Sequence, residues 1–253
     1  MHPAKILTRC QILNIYIKER RMLTGKQFVE KIVADNQALF QASQHNVRAY
    51  FDSKPSQQEL VDHFIGRMVN ERMNMVEISR AIAELPADTD PAELELLTKQ
   101  AQDEARHFRM VKEVIEHITG APVDVEAAIA RETAQPTAKG ASLLAKYDAQ
   151  NDEAALAAYQ LVAEGRAEAV WDEMARCVED QFIAGHYARI ARDEGFHANI
   201  GGRQLARLAE DPAVQARVAD LVAAMRRDLY EISCRNTTAA EAGRALVADA
   251  YGW

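Results

Sequence analysis

Asp-Glu-Ala-Arg-His at 103–107 and Asp-Glu-Gly-Phe-His at 193–197 are two copies of one short pattern, and they decide how the chain is expected to fold. Each copy places a Glu three residues before a His, so on a helix both side chains project from the same face. Helical bundles that hold two metal ions use two such helices, together with one Glu from each of two further helices. The pattern therefore predicts two more inward-facing glutamates.

A helical hairpin is predicted around the first copy. The segment 56–85 begins with Ser56 and Glu59, which form a capping box at the start of a helix. A short turn follows, and Asp90 then caps the next helix, with Pro91 at its first position. Because the connection is short, the two helices should pack antiparallel.

Glu71 is the predicted partner of Glu104 in this hairpin. It is the one carboxylate in an otherwise apolar stripe whose members recur in steps of three and four. Glu71 and Glu104 lie at nearly equal distances from the turn, so they should face each other. Glu77 is the competing ligand, but it lies off the stripe.

The second half repeats this arrangement. Asn151 or Asp152 can cap a helix over 151–178, and two glutamates lie on its predicted inward stripe. Glu164 is preferred as the ligand because its distance from the turn matches the first half. Glu168, one turn later, is expected to face inward too, as an extra carboxylate near the metals or as the ligand in place of Glu164.

Such a layer of carboxylates and imidazoles needs cations, because unpaired Asp and Glu are almost never fully buried. Satisfied ion pairs in the core are the competing interpretation. Carboxylate oxygens with one imidazole per ion suit iron, with manganese as the alternative, whereas structural zinc sites favour cysteine. We therefore expect two metal ions, and iron is the preferred identity.

Asp103 and Asp193, which directly precede the two glutamates, are expected to orient the histidines. A metal-bound imidazole usually donates its other N–H to a carboxylate, which fixes the ring. We predict that each aspartate accepts this bond from the His of the opposite copy. A surface ion pair, for instance between Asp103 and Arg106, is the alternative.

The order of these residues resembles the ferritin-like di-iron carboxylate superfamily over about residues 56–208. The doubled Asp-Glu-x-x-His is similar to the bacterial multicomponent monooxygenase and ribonucleotide reductase R2 branches. The second copy, followed by Gly201, also looks like the second motif of the phenylacetyl-CoA epoxygenase catalytic subunit. The resemblance implies two irons bridged by Glu104 and Glu194. The implied ligands are Glu71, Glu104 and His107 for one iron, and Glu164, Glu194 and His197 for the other.

The composition favours an all-α fold. The chain of 253 residues has only 11 Gly and 7 Pro, and helix formers dominate. We expect a ferritin-like four-helix bundle with additional N- and C-terminal helices, in a single domain spanning 1–253. The metal-binding bundle would occupy about 56–209, with flanking helices in 1–55 and 210–253.

The flanking segments contain further helix signals. Thr24 can cap a helix that continues to about Phe51, and the segment 123–150 should form a short helix, a break and another helix. Helix starts are also predicted at Pro212 and at Thr238.

Charge and cysteine content restrict the partners and the compartment. Three widely spaced cysteines, Cys10, Cys177 and Cys234, favour a reducing cytoplasm over a disulfide framework. The interrupted apolar segment 6–17 predicts neither a signal peptide nor a membrane span. A net charge of −8 offers no basic face, so we expect no nucleic-acid partner. The remaining helical faces suggest a homodimer.

The predicted function is a non-haem di-iron oxidase or monooxygenase that uses O2 to oxidise a small organic substrate, with no catalytic residue beyond the metal ligands. Because no flavin, nicotinamide or iron–sulfur motif is present, a separate reductase or ferredoxin should supply electrons. A CoA- or carrier-bound substrate would find a basic patch at Arg203, Arg207, Arg226 and Arg227, although a solvated helix face is the competing interpretation.

Two other classes remain as alternatives. They are a ferroxidase or iron-binding ferritin-like protein, and a non-catalytic helical partner subunit of an oxygenase complex. A tRNA hydroxylase is a further enzyme option, which the acidic balance weakens.

Overall fold

The computed structural model of the protein describes residues 23–134, 142–147, 149, 151–234 and 242–253. Every regular element in these ranges is helical, so the chain is all-α over the part described. In chain order the helices are α1 (Gly25–Asp35), α2 (Gln37–Asp52), α3 (Gln57–Ala83), α4 (Pro91–Thr119), α5 (Val125–Ala134), α6 (Ser142–Lys146), α7 (Glu153–Tyr159), a π-helical segment (Gln160–Glu164), α8 (Gly165–Cys177), α9 (Gln181–Leu208), α10 (Pro212–Cys234) and α11 (Arg244–Tyr251).

The predicted starts of the two long helices of the first half are confirmed. Ser56 and Glu59 form a capping box before α3, with each side chain bonded to the other residue's backbone N–H. Asp90 caps α4 through the N–H of Ala92, and Pro91 occupies the first helical position. The hairpin of α3 and α4 is therefore specified by local sequence.

The predicted continuous helix from Thr24 to Phe51 is wrong, because the chain breaks at Asn36. Thr24 does form a capping box, but α1 ends at Asp35 and α2 begins at Gln37. Asn36 is fully buried, donates to the Ile32 carbonyl at 2.7 Å and accepts from the Arg226 guanidinium at 3.0 Å. Its side chain thus competes with regular helix geometry at this point.

The second half contains a π-helical segment that the sequence did not predict. Asp152, and not Asn151, caps α7 by accepting from the N–H groups of Ala154 and Ala155. The helix then widens over Gln160–Glu164 before it resumes as α8. Single π turns inside α-helices often occur at functional sites, and this one ends at the predicted ligand Glu164.

The apolar core consists of two separate clusters. One includes Leu97, Leu205 and much of α7, and the other includes Phe64, Trp171 and Tyr187. On α3, α4 and α9, and on the continuous stretch from α7 to α8, residues of the first cluster lie at one end and residues of the second at the other. The predicted ligands lie between these two sets on each of the four elements.

The flanking helices cover this arrangement. Helix α1 packs on α9, α2 packs on α8, and both α10 and α11 pack on α2. The predicted start at Pro212 is confirmed, and α5 and α6 are the two short helices expected in 123–150. The predicted break near Pro136 and the predicted helix start at Thr238 lie outside the described residues, as does the segment 6–17.

Cys177 and Cys234 are free thiols, and Cys10 lies outside the described residues. None of the described helices is both long enough and apolar enough to cross a bilayer.

Candidate metal centre

Two overlapping groups of side chains form a buried cluster between the two cores. In each group, ligand-type atoms lie within 4.8 Å of one another. Both groups include Glu104 from α4 and Glu194 from α9. The first group adds Glu71 and His107, and the second adds Glu164 and His197. All six predicted ligands are thus brought together, and every one of them is at most 4 % exposed.

The spacing of the ligands within each helix and the packing of the neighbouring helices explain why the six side chains converge. Glu104 with His107, and Glu194 with His197, are each separated by three residues on one helix, so they project together. Glu71 reaches them from the adjacent antiparallel helix α3, and Glu164 reaches them from the end of the π segment.

The imidazole rings point one nitrogen into the cluster. Nδ1 of His107 lies 3.7 Å from a carboxylate oxygen of Glu71, 3.7 Å from one of Glu104 and 3.6 Å from one of Glu194. Nδ1 of His197 lies 3.3 Å from Glu104 and 3.0 Å from Glu194. Nδ1 is therefore the candidate donor atom on both rings.

The other ring nitrogens contact the predicted aspartates. Nε2 of His107 lies 3.3 Å from Asp193, and Nε2 of His197 lies 3.3 Å from Asp103. Each pair joins α4 to α9, so the predicted crossed contacts are confirmed. A proton on Nε2 donates to the aspartate and leaves the Nδ1 lone pair free for a cation.

The ion pair between Asp103 and Arg106 also forms, but it is not the surface pair of the alternative interpretation, because Asp103 is fully buried. Arg106 bridges the two aspartates, at 2.5 Å from Asp103 and 2.7 Å from Asp193. Lys99 adds an ion pair to Asp103, and Arg189 adds one to Asp193. Burial alone would raise the pKa of Asp193, but the hydrogen bonds from His107, Arg106 and Arg189 outweigh it and hold this pKa well below its usual range.

The carboxylates inside the cluster are under electrostatic strain. Burial raises the pKa of Glu71 to about 8, and the charges of Glu104 and Glu194 contribute to this rise. Burial and neighbouring carboxylates also raise the pKa of Glu164 and of Glu194. Glu104 differs: the nearby rings of His107 and His197 outweigh burial and lower its pKa. Three of the four carboxyl groups, those of Glu71, Glu164 and Glu194, are therefore costly to ionise unless a cation lies beside them.

Several atoms in the cluster are buried without a hydrogen-bond partner. They are Oε2 of Glu71, both carboxylate oxygens of Glu104 and Nδ1 of His107. Such orphaned groups are costly and call for an explanation, of which an absent ion is one. Four carboxylates and two neutral imidazoles carry four negative charges, which two divalent cations would balance. The donor set thus fits a dinuclear site bridged by Glu104 and Glu194.

Glu168 does not belong to the cluster, so the expectation that it faces inward is wrong. The buried apolar residues of α8 are Val170, Trp171 and Met174, and helical steps lead back from them to Ala167. Glu168 is one position further round the helix and is exposed. Its carboxylate lies against Gly195, at 2.7 Å from where a Cβ would stand. The competing residue Glu77 also lies outside the two groups and pairs with Arg80 at 2.5 Å.

Two buried glutamines beside the cluster were missed from the sequence. Gln100 Nε2 donates to Glu164 Oε1 at 3.2 Å, and Gln160 Nε2 donates to Gln100 Oε1 at 2.6 Å. Gln100 lies four residues before Glu104 and so shares its face, which is a signal the sequence offers. Gln160 depends on the π segment, which the sequence did not predict.

Three of the four arginines proposed as a phosphate patch have intramolecular contacts. Arg207 lies 3.6 Å from Glu93 and 3.7 Å from Glu153. Arg226 instead stacks over Tyr251, and Arg227 stacks over Trp253, near the C-terminus. The patch therefore stays an expectation without support from its geometry.

Comparisons with protein-family models, with curated proteins and with solved structures each found no match to this chain. The functional argument consequently rests on the cluster itself.

Proposed function

We propose that the protein is a ferritin-like di-iron carboxylate oxidase or monooxygenase. The observation that carries this proposal is the pair of overlapping ligand groups, which share Glu104 and Glu194 and each have a His and a terminal Glu of their own. This arrangement matches the donor set of two-metal carboxylate bundles, in which two Glu-x-x-His helices face two helices with one Glu each. The antiparallel pair α3 and α4 and the pair formed by α7–α8 with α9 would be the four helices of that bundle.

Iron is the proposed metal, with manganese as the alternative. Six donors that are mainly oxygen, with one imidazole nitrogen per ion, suit these ions better than zinc or calcium. With two irons bound, such a centre supplies the activation of O2 by which an organic substrate is oxidised.

The residues around the cluster prepare the ligands for this role. Asp103 and Asp193 fix the imidazole rings so that Nδ1 faces inward. Lys99, Arg106 and Arg189 keep these two aspartates ionised, so that they accept from the rings. The apolar clusters above and below exclude water from the carboxylate layer.

The remaining partners follow from this chemistry and stay proposals. Electrons would come from a separate reductase or ferredoxin, and the substrate would be a small organic molecule. We further propose a cytoplasmic homodimer.

The first test is the metal content of protein produced with iron, followed by an absorption spectrum after anaerobic reduction and exposure to O2. We expect about two irons per chain and a transient visible band. The absence of any transition metal, even after reconstitution, would overturn the proposal.

Paired variants test the ligand assignment. Glu71→Gln should lose bound metal because it removes a buried ligand, whereas Glu77→Gln should keep it because Glu77 lies outside both groups. Both variants remove one carboxylate from α3, so the comparison isolates position. Equal metal contents in the two would show that Glu71 is not a ligand.

A further inference from the structure

A pocket with a volume of about 250 Å³ opens beside the metal-site cluster. It lies between the start of α4, the α7–π stretch and the second half of α9. Most of its wall is aliphatic, and such a wall with a few polar groups is the usual lining of a small-molecule site. Besides Ala92 at the rim, the aliphatic residues are Leu85, Leu96, Leu97, Leu156, Ala157 and Ile200.

The charged rim of this pocket is largely neutralised within the protein. Arg207 lies close to both Glu93 and Glu153, and Gln204 donates a hydrogen bond to Glu93. All four residues line the pocket. Asp90 and Arg203 also line the pocket, so three acidic and two basic residues nearly balance there, and the pocket favours a neutral occupant over a strongly charged one.

Gln160 links this pocket to the cluster. It lines the pocket and donates to Gln100, which in turn donates to Glu164. Gln100 is fully buried and Gln160 is 1 % exposed. Two amides in series therefore lead from the pocket wall to a carboxylate of the centre.

The direction of this amide chain is fixed by its inner end. Gln100 presents its NH2 group to Glu164 and its oxygen to Gln160, which is the orientation that a carboxylate holding a cation would require, because such a carboxylate only accepts. Gln160 then uses its NH2 group toward Gln100. The amide oxygen of Gln160 is left to accept, so a partner in the pocket would be a hydrogen-bond donor.

Close packing holds Gln160 in this place. A Cβ on Gly201 would lie 2.5 Å from the Gln160 Cβ and 2.7 Å from the Leu161 backbone nitrogen. Glycine at this position lets α9 approach the π segment, which carries both Gln160 and Glu164. The close contact with Gly201 therefore leaves little room for the Gln160 side chain to move.

We propose that this pocket binds a small neutral apolar molecule that carries a hydroxyl or amide donor, and that Gln160 and Gln100 are positioning residues which transmit its presence to Glu164. The pocket half of the proposal stands on the cavity alone. The transmission half rests on the proposed function, because it requires a metal at Glu164.

The test uses 1-hexanol as the probe and the full chain loaded with Co²⁺, whose visible spectrum reports ligand geometry. Hexanol should shift the NMR methyl signals of Leu96, Leu156 and Ile200 in metal-free and in loaded protein. It should also change the Co²⁺ spectrum of the wild type.

Three variants separate the two halves. Ala92→Trp, at the exposed rim, should abolish the methyl shifts while Co²⁺ binding stays intact. Gln100→Leu should keep the methyl shifts but lose the spectral response, because the amide bridge is broken. Gln57→Leu removes an amide that lies outside both the pocket and the bridge, where it donates to the Ile118 carbonyl, so its spectral response should persist. If Gln100→Leu fails to fold, Gln100→Leu with Gln160→Leu removes both amides and leaves no buried donor unpaired.

The opposite results would overturn either the pocket or the transmission to Glu164. No methyl shift up to the solubility limit of hexanol overturns the pocket, while a two-Co²⁺ spectrum would leave the proposed function standing. An equal spectral response in Gln100→Leu and wild type overturns the transmission. A chain that binds hexanol but no Co²⁺ overturns both the transmission and the proposed function, and leaves the pocket.

Discussion

At the residue scale, the two aspartates show how a charge outside the ligand set controls the donor atoms. Asp103 and Asp193 each accept a hydrogen bond from one imidazole Nε2 and thereby direct Nδ1 into the cluster. The sequence allowed this prediction because each aspartate directly precedes a ligand. It did not show that Arg106 would bridge the two aspartates, since that contact depends on the approach of α4 to α9.

Asp193→Asn tests this role. The amide loses the negative charge that stabilises the N–H of His107, so metal affinity should fall by about 10–100-fold while the helical content is retained. Competition with a chelator measures the affinity. Asp35→Asn is the matched control, because Asp35 is an exposed aspartate paired with Lys31 at 2.6 Å. Unchanged affinity in Asp193→Asn would contradict the role.

The pH dependence of the metal-free protein follows from Glu71. Its folded pKa of about 8 lies above the ordinary value of 4.5, so between these values the folded state binds more protons than the unfolded state. The stability from this group is complete below pH 4.5 and is lost as the pH rises through about 8. The two cluster histidines act in the same direction above pH 6.5, since hydrogen bonds to carboxylates outweigh burial and raise the pKa of each.

Thermal unfolding with a chelator present should therefore give a melting temperature that falls from pH 5.5 to pH 8.5, a window chosen around these pKa values. Metal loading should remove most of this slope, because bound ions displace the protons. A metal-free stability that rises across the window would be inconsistent with these assignments.

At the element scale, the sequence predicted features set by neighbouring residues but not those set by distant contacts. The capping residues Ser56 and Asp90 lie within one turn of the helix starts they set, so the sequence identified them. The break at Asn36 depends on Arg226, which is 190 residues away. The π segment and the outward position of Glu168 likewise depend on packing against α9, and no local pattern announces them.

Glycines on α9 test the packing of the π segment. Gly201→Ala should destabilise the protein by about 1–3 kcal/mol, because the new methyl group would meet the Ala157 carbonyl oxygen at 2.6 Å. Gly185→Ala, on the same helix, has nothing within 4 Å of its Cβ and should stabilise by about 0.5–1 kcal/mol through helix propensity. Chemical denaturation measures both. If the two variants changed the free energy of unfolding by the same amount, or if Gly201→Ala were stabilising, α9 would not approach the Ala157 carbonyl as closely as described.

At the scale of the whole molecule, metal binding at the proposed centre would be coupled to stability. A metal present at about 100 times its Kd should stabilise the fold by about 2.7 kcal/mol, since it binds only the native state. Glu164→Gln should lose most of this gain and should be more stable than wild type without metal, because it removes a buried carboxylate that faces Glu104 and Glu194. Melting curves with and without metal measure both effects.

Glu168→Gln serves as the control for that comparison. Its side chain lies outside the two ligand groups, so the metal-dependent gain should match the wild type. A loss equal to that of Glu164→Gln would place Glu168 among the ligands after all.

The division of the apolar core by a charged layer also bears on the cooperativity of unfolding. On each of the four elements, carboxylates whose negative charges disfavour one another lie between the residues of the two clusters. Without metal, the two halves of the core should therefore melt as separate calorimetric units, with a total enthalpy larger than the van't Hoff enthalpy. With metal, the layer becomes attractive and a single transition should replace them, so that iron would act as the element that makes the protein one folding unit.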